Sequence, residues 1–214
     1  MKRIALSLWA AASLWLAAAG PAHSAEHGWY AGAGLGYSNG DISTEDVGNV
    51  VNRLSPGATP TSITKDPDSV MYKLFLGYNF TSVLAVEANL VRIGEFGFNA
   101  TTSPTGILYN TLDMWGGTLD VLGIMPLGNW RVFGRFGGTV LRSTAYYSGT
   151  GAMAGVPDKV EETKVGWKAG GGIGYEFESG VGFRAEYEYY NTDTALDEKV
   201  ETHVVSGSFL YRFK

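Results

Sequence analysis

The sequence predicts an all-β protein, a transmembrane eight-stranded antiparallel up-and-down β-barrel with long extracellular loops and short periplasmic turns. Apolar and polar residues alternate with a period of two along most of the chain, which is the repeat of β-strands. Aromatic residues lie toward the ends of these segments, with small or aliphatic residues between them, as in a lipid-facing band edged by aromatic girdles. Long polar segments and tight turns separate the strands alternately, as expected for a closed membrane barrel.

The clearest pair of strands covers residues 165–177 and 181–190, with a tight turn at residues 178–180 between them. In the first strand the odd-numbered residues form an apolar face, and the opposite face carries Lys168, Glu176 and several glycines. The second strand repeats the alternation. We therefore expect the polar, small-residue face to line the interior of a narrow barrel.

The first 24 residues are predicted to be a cleaved secretory signal peptide. Lys2 and Arg3 form a charged start, an apolar stretch runs to Ala19, and small residues up to Ser24 provide a cleavage site. The apolar stretch is short for a membrane-spanning helix. Residues 25–214 are then predicted to form the outer-membrane β-barrel domain.

Six further segments alternate in the same way and are predicted strands: residues 28–38, 70–80, 83–93, 112–125, 130–142 and 203–213. Short turns are predicted at residues 81–82 and at residues 126–129, whose sequence Pro-Leu-Gly-Asn is incompatible with a central strand. The long polar loops are residues 39–68, 94–111, 143–163 and 191–202. Because the chain of strands starts and finishes at the short-turn side, both termini are expected in the periplasm.

The composition excludes several classes of protein. The chain has 214 residues and no cysteine, which excludes a disulfide-stapled scaffold. Its formal net charge of -5 argues against a nucleic-acid partner. A mean hydropathy of -0.02 argues against a helical membrane protein and is compatible with alternating strands, whose two faces average out.

Four motifs carry a family resemblance: GWYAGAGLGY at residues 28–37, Glu87 in the third strand, PLG at residues 126–128 and SGSFLYRF at residues 206–213. The chain resembles the OmpA-like and opacity-protein-like eight-stranded outer-membrane barrels. That family includes adhesins, stabilising proteins and small pores, so the resemblance implies a fold and a location and leaves the activity open.

The resemblance also implies partners. Phe209, Tyr211 and Phe213 are expected to form the C-terminal signal for the barrel-assembly machinery, although Lys214 follows where family members often end on an aromatic residue. Outer-membrane lipid and lipopolysaccharide would surround the barrel, and the loops would contact a host or cell-surface ligand.

The alternation predicts a network of acids and bases in the barrel interior. Its members are Lys73, Glu87, Asp120, Arg131, Arg135, Lys168, Glu176, Arg184, Glu186, Glu188 and Arg212. We expect these side chains to pair and plug a lumen that is too narrow for an open water channel. The alternative is a gated ion path, in which pairs such as Glu87 and Arg135 exchange partners.

Three functions follow as hypotheses. The first is a structural or adhesin-like role of the loops, especially residues 39–68, and the second is a small ion-conducting pore. The third is a lipid-A-modifying enzyme that uses His203 with Ser206, but residues three apart on a strand point to opposite faces. We therefore expect no enzyme and no cofactor. We also expect no bound metal, since the spacing of the loop acids matches no calcium loop. A soluble lipocalin-like barrel, with the two faces reversed, is the alternative fold.

Overall fold

The computed structural model describes residues 27–41, 43–193 and 199–213, and within them nine β-strands and one helix. The strands are β1 (Gly28–Asp41), β2 (Thr59–Asp66), β3 (Asp68–Asn79), β4 (Leu84–Ser103), β5 (Gly106–Leu127), β6 (Trp130–Gly151), β7 (Lys159–Glu176), β8 (Val181–Asp193) and β9 (Lys199–Arg212). The helix, α1, is Thr44–Leu54. The predicted signal peptide lies outside the described residues.

Eight of these strands close into an antiparallel barrel, which confirms the predicted fold. From β3 to β9 each strand pairs with the next one along the chain, and β1 pairs with both β3 and β9. A path that starts at Tyr30 of β1 and steps from each residue to its partner on the next strand returns to β1 at Gly40. The strands are therefore staggered by ten residues around the ring. Such a stagger tilts the strands, and a barrel of eight strands is wide enough for side chains and little else.

The outward face of the barrel is an apolar band. Leu35, Leu90 and Val165 point outward and are 61%, 65% and 72% exposed, which is the arrangement expected of side chains that face lipid. Aromatic side chains edge the band: Trp29, Phe80, Trp130, Phe177, Phe183 and Tyr211 at the end with the short turns, and Tyr37, Tyr72, Trp115, Trp167 and Tyr187 at the other end. We call these two ends the turn end and the loop end.

Two of the predicted loops are wrong. Residues 94–111 and 143–163 are mostly strand, because β4, β5, β6 and β7 continue far beyond the loop-end girdle. We call this extension the wall, formed by residues 94–103, 106–113, 143–151 and 159–163. In β4 the alternation was hidden by a β-bulge between Arg92 and Gly94, which switches the inward face from odd-numbered to even-numbered residues.

The predicted loop of residues 39–68 is also wrong, because it folds into α1 and β2. Ser43 caps the helix and forms a capping box with Asp46. β2 pairs with β4 along the wall, outside the ring of eight strands. We call α1 and β2 together the cap.

The fourth predicted loop, residues 191–202, is shorter than expected. β8 continues to Asp193 and β9 begins at Lys199, and the residues between them lie outside the described part of the chain. No helix among the described residues is long and apolar enough to cross a membrane.

Candidate functional site

Eight charged side chains fill the middle of the barrel, and we call them the central network. They are Lys73, Glu87, Asp120, Arg135, Lys168, Arg184, Glu186 and Glu188. Four are cations and four are anions, and each is at most 8% exposed. The period-two alternation places them inward, because their chain neighbours occupy the apolar outward face.

Arg135 is the centre of this network. Its Nε donates to Asp120 Oδ2 at 3.1 Å and its Nη1 donates to Glu186 Oε1 at 2.8 Å. Its Nη2 also donates to Glu87, and its Nη1 lies 3.4 Å from Glu188 Oε1. One guanidinium therefore contacts all four acids, which come from β4, β5 and β8.

The two lysines complete the opposite side of the network. Lys168 Nζ lies 2.6 Å from Glu188 Oε1 and 2.9 Å from Asp120 Oδ2. Lys73 Nζ contacts Glu186 and lies 3.1 Å from Glu188 Oε2. Asp120, Glu186 and Glu188 are thus each shared between at least two cations, so removing one side chain changes several pairs at once.

Arg184 joins the charged network to a group of aromatic rings. Its Nη1 donates to Glu87 Oε2 at 3.0 Å, and its guanidinium carbon lies 4.2 Å from the centre of the Phe75 ring. Tyr30 donates to the same Glu87 oxygen at 3.0 Å. The Tyr30 ring fits there because Gly77 has no side chain, since a Cβ at Gly77 would lie 2.1 Å from Tyr30 Cζ.

This arrangement balances the charges buried in the barrel. A charge buried at this depth is stable only when it is paired and hydrogen-bonded, and four cations match four anions. A hydrated ion would have to displace several of these contacts in order to pass. The central network is therefore suited to plugging the lumen.

Three of the predicted interior residues lie apart from the central network, at the turn end. Glu176 Oε1 is 3.0 Å from Arg131 Nε and 2.8 Å from Arg212 Nη2, and all three side chains are partly exposed. A cavity of about 20 Å³ lies beside them and is also lined by Arg184. That volume is enough for about one water molecule.

Phe209, Tyr211 and Phe213, predicted as the assembly signal, point outward and are 47%, 42% and 49% exposed. Phe209 packs edge-on against Phe183 of β8, with ring centres 5.6 Å apart. They thus form part of the turn-end girdle. Their recognition by the assembly machinery stays a prediction.

His203 and Ser206 lie on opposite faces of β9, His203 exposed and Ser206 buried. The His203 Nδ1 atom lies 2.7 Å from the hydroxyl of Tyr187, in the loop-end girdle. The two residues therefore do not form a nucleophile and base pair. Among the described residues, no group of three His, Cys, Asp or Glu side chains is arranged to hold a metal ion.

The sequence analysis missed an apolar core above the central network, which we call the cap core. It brings together buried residues of α1, the wall and the turn after β6: Val47, Val50, Val51, Phe96, Phe98, Ala100, Leu108, Leu112, Ala145, Tyr147 and Met153. Two signals in the sequence point to it. Val47, Val50, Val51 and Leu54 have the spacing of a helix face, and Phe96, Phe98 and Ala100 alternate as in a strand.

The described connection from β1 to β3 therefore closes over the loop end. Val47, Val50 and Val51 are at most 1% exposed against the inner face of the wall. Ser55, directly after α1, donates from its hydroxyl to the carbonyl oxygen of Ala152 at 3.2 Å. The interior thus has two layers, the charged central network in the middle of the barrel and the apolar cap core nearer the loop end.

The sequence and the fold both have counterparts among known proteins. Residues 8–213 match the model of the outer membrane protein beta-barrel domain family. No curated protein sequence matches the chain. The fold is similar to Neisserial surface protein A (NspA), at 12% identity and a TM-score of 0.53, covering 89% of this chain and 100% of that one. It is also similar to the outer membrane protein OprG of Pseudomonas aeruginosa, at 13% identity and a TM-score of 0.53, covering 87% and 96%.

Proposed function

Because the chain belongs to the outer membrane protein beta-barrel family, we propose that it is a surface protein with a plugged barrel and a folded loop end that makes contacts outside the cell. As a member of that family it is an integral protein of the bacterial outer membrane. In such barrels the long connections face the exterior and the short turns face the periplasm. The cap and the wall would then stand on the cell surface.

The observation that carries this proposal is the cap core. Flexible loops lose conformational entropy when they bind, whereas a surface that is already packed loses little. Here α1 and the wall are packed on each other through the cap core, so the backbone that carries the exposed side chains is held in place. A preorganised surface of this kind is suited to recognition.

The exposed side of the cap offers polar and charged contacts. Glu45 and Asn52 lie on the exposed side of α1, and Lys65 and Asp66 lie exposed on β2. None of these side chains belongs to the cap core. They can be changed without disturbing the packing beneath them.

An attachment assay tests the proposal. Bacteria that produce the protein are expected to attach to an epithelial-cell monolayer better than bacteria that lack it. Reversing three exposed charges of the cap, with Glu45→Lys, Lys65→Glu and Asp66→Lys, is expected to reduce the attachment roughly tenfold, because interface energy concentrates in few residues. The control is Ser179→Lys, an exposed change in the turn between β7 and β8 at the opposite end.

Two results would count against the surface role. One is equal attachment with and without the protein, and the other is equal loss in the Ser179→Lys control. Heat-modifiable mobility on a gel shows that each variant has folded, so a loss of attachment is not mistaken for a loss of the barrel.

A small pore is the second candidate, and the cavity at the turn end favours it. Arg184 lines that cavity, and its Nε and Nη2 atoms have no hydrogen-bond partner among the described residues. Water or a small ion that entered this cavity would meet these donors before the rest of the central network. Steady conductance of the purified protein in a planar bilayer, altered in Glu87→Gln and Arg135→Gln, would favour the pore over the plug.

A further inference from the structure

We propose that the outward face of the wall binds the phosphorylated glycolipid of the outer leaflet, lipopolysaccharide, at one site on one side of the barrel. This inference is independent of the attachment role, because it concerns the lipid around the protein. The wall continues the lipid-facing surface of β4 to β7 beyond the loop-end girdle. Its base is therefore at the level of the lipid headgroups.

Two arginines mark that level. Arg92 pairs in register with Trp115, and Trp115 pairs with Arg142, so the three residues form one row across β4, β5 and β6. All three point outward, and the two arginine side chains are 42% and 46% exposed. Trp115 lies at the loop-end edge of the apolar band. The two arginines beside it are the first charged residues at that edge. A guanidinium forms paired hydrogen bonds with phosphate, so the row is suited to a phosphorylated headgroup.

Acidic residues just above this row hold the arginines in position. Arg92 Nε lies 3.1 Å from Asp113 Oδ1 and its Nη2 lies 2.5 Å from Glu95 Oε1. Arg142 Nη2 lies 2.5 Å from Glu161 Oε2. A guanidinium carries five N–H donors, so each arginine keeps donors for a second acceptor. The acids weaken the long-range attraction between the arginines and a phosphate. What remains is the short-range hydrogen bonding of the guanidinium groups to the phosphate oxygens.

Above the arginines the wall presents aromatic rings among hydroxyl and amide groups. Tyr146 is four residues beyond Arg142 on β6, about 13 Å along the strand. Tyr109 on β5 is paired with both Asn99 and Ser148 in register. Tyr109 and Tyr146 are 47% and 48% exposed. A sugar ring packs its apolar face on an aromatic ring and exchanges hydrogen bonds with hydroxyl and amide groups, so this surface fits the oligosaccharide above the phosphates.

Among the described side chains, the rest of the circumference lacks these features. At the loop end of β1, β3, β8 and β9, the described outward side chains beyond the girdle are Asn39, Asp68, Asn191, Glu201 and His203. None of these five is an arginine or a lysine. The geometry therefore predicts one preferred lipopolysaccharide site, on the side of β4 to β6.

Native mass spectrometry of the refolded protein in detergent micelles tests this site. The probes are rough lipopolysaccharide, the same lipid after enzymatic dephosphorylation, lipid A and phosphatidylglycerol. We expect the wild-type protein to retain one molecule of rough lipopolysaccharide and to retain the dephosphorylated lipid or phosphatidylglycerol about tenfold less. Arg92→Gln and Arg142→Gln are each expected to lower retention of rough lipopolysaccharide, and Lys65→Gln, which removes an exposed charge from the cap, is the matched control.

The oligosaccharide part of the proposal has its own test. Tyr109→Ala with Tyr146→Ala is expected to weaken retention of rough lipopolysaccharide and to leave retention of lipid A unchanged, because lipid A lacks the outer sugars. Equal wild-type retention of the phosphorylated and dephosphorylated lipids would overturn the phosphate contact. Equal retention of phosphatidylglycerol would reduce the site to general anionic-lipid binding and overturn the glycolipid assignment. Both lipid comparisons use the wild-type protein, so neither result depends on whether a variant folds.

Discussion

At the residue scale, the position of Arg135 determines how the barrel interior responds to mutation. Its guanidinium contacts Glu87, Asp120, Glu186 and Glu188, so it is the cation that all four acids of the central network share. A lone change here leaves a buried charge without its counter-charge. The cost of that imbalance exceeds the value of any one contact.

A double-mutant cycle on Glu87 and Arg135 measures this balance. We expect Glu87→Gln and Arg135→Gln each to lower the free energy of unfolding by about 3–5 kcal/mol, because each leaves the network with a net charge. The double variant restores neutrality and is expected to cost less than the sum, with a coupling of about 1–3 kcal/mol. Urea unfolding of the protein in lipid vesicles gives all four values.

The control for this cycle is the exposed pair Arg142 and Glu161. Both side chains are well exposed, at 46% and 33%, so water screens their attraction. The same cycle on this pair is expected to show no measurable coupling. Additive effects of Glu87→Gln and Arg135→Gln would contradict the shared network.

Tyr147 gives a second prediction at this scale. It lies in the wall beyond the membrane band, and its hydroxyl is buried with no hydrogen-bond partner among the described residues. Burial raises the pKa of Tyr147 from 10.0 to about 12. We expect Tyr147→Phe to raise the free energy of unfolding by about 1 kcal/mol at neutral pH, because it removes an unsatisfied buried donor.

The raised pKa also sets a pH dependence. Between pH 10 and 12 the unfolded state loses the tyrosine proton while the folded state keeps it, so stability falls as the pH rises through this range. The Phe variant lacks this component, and the difference between the two proteins in urea unfolding is expected to grow toward pH 12. A destabilised Phe variant at neutral pH would show that the hydroxyl has a bound partner, such as a buried water.

At the element scale, α1 depends on the wall for its stability. An isolated helix of 11 residues is marginal in water, even with the capping box at Ser43. Burial of Val47, Val50 and Val51 adds about 1.5–3 kcal/mol for each side chain that is fully removed from water. The helix is therefore held by tertiary packing, and a charge on its buried face should release it.

Limited trypsin digestion tests this dependence. Val50→Asp places a carboxylate in the cap core and is expected to undock α1, because an unpaired buried charge is too costly. Cleavage after Arg53 should then become at least about tenfold faster, while the barrel keeps its heat-modifiable mobility. The control is Asn52→Asp, which adds the same charge on the exposed side and can still accept the hydrogen bond from the Gly57 amide. Equal cleavage of the two variants would show that α1 is not held by the core.

At the scale of the whole molecule, the central network and the cap core lie one after the other along the barrel interior. If the interior is plugged as we propose, an ion that crosses the membrane through the lumen would have to pass both layers. Opening one layer would then leave the other closed, so we expect two independent barriers.

Planar-bilayer recordings test the series arrangement. We expect the wild-type protein, Arg135→Gln alone and Val50→Asp alone to stay silent, and the combination of Arg135→Gln with Val50→Asp to conduct. The reason is that current requires both layers to open. If Arg135→Gln alone conducted as well as the combination, the cap core would not be a barrier.

Much of this architecture was predictable from local pattern. Because side chains alternate with a period of two, the sequence indicates which face of a strand each residue occupies. The pattern of residues 165–177 and 181–190 therefore predicts both the apolar outward face and the charged inward face. The same reasoning placed Lys73, Glu87 and Arg135 in the interior. It failed at residues 94–111, because the bulge at Gly94 breaks the period within one strand.

The sequence by itself therefore determined the closed antiparallel barrel, its apolar band and the charges inside it, because alternation along each strand is a local property. Only the tertiary structure decided which charges meet. Arg135 and Glu186 are 51 positions apart in the chain, and the stagger of the ring brings them to the same level. The tertiary structure alone also decided that residues 44–54 and 59–66 fold as a cap. An 11-residue helix becomes stable when it packs on a wall built from four other strands, and no local signal contains that contact.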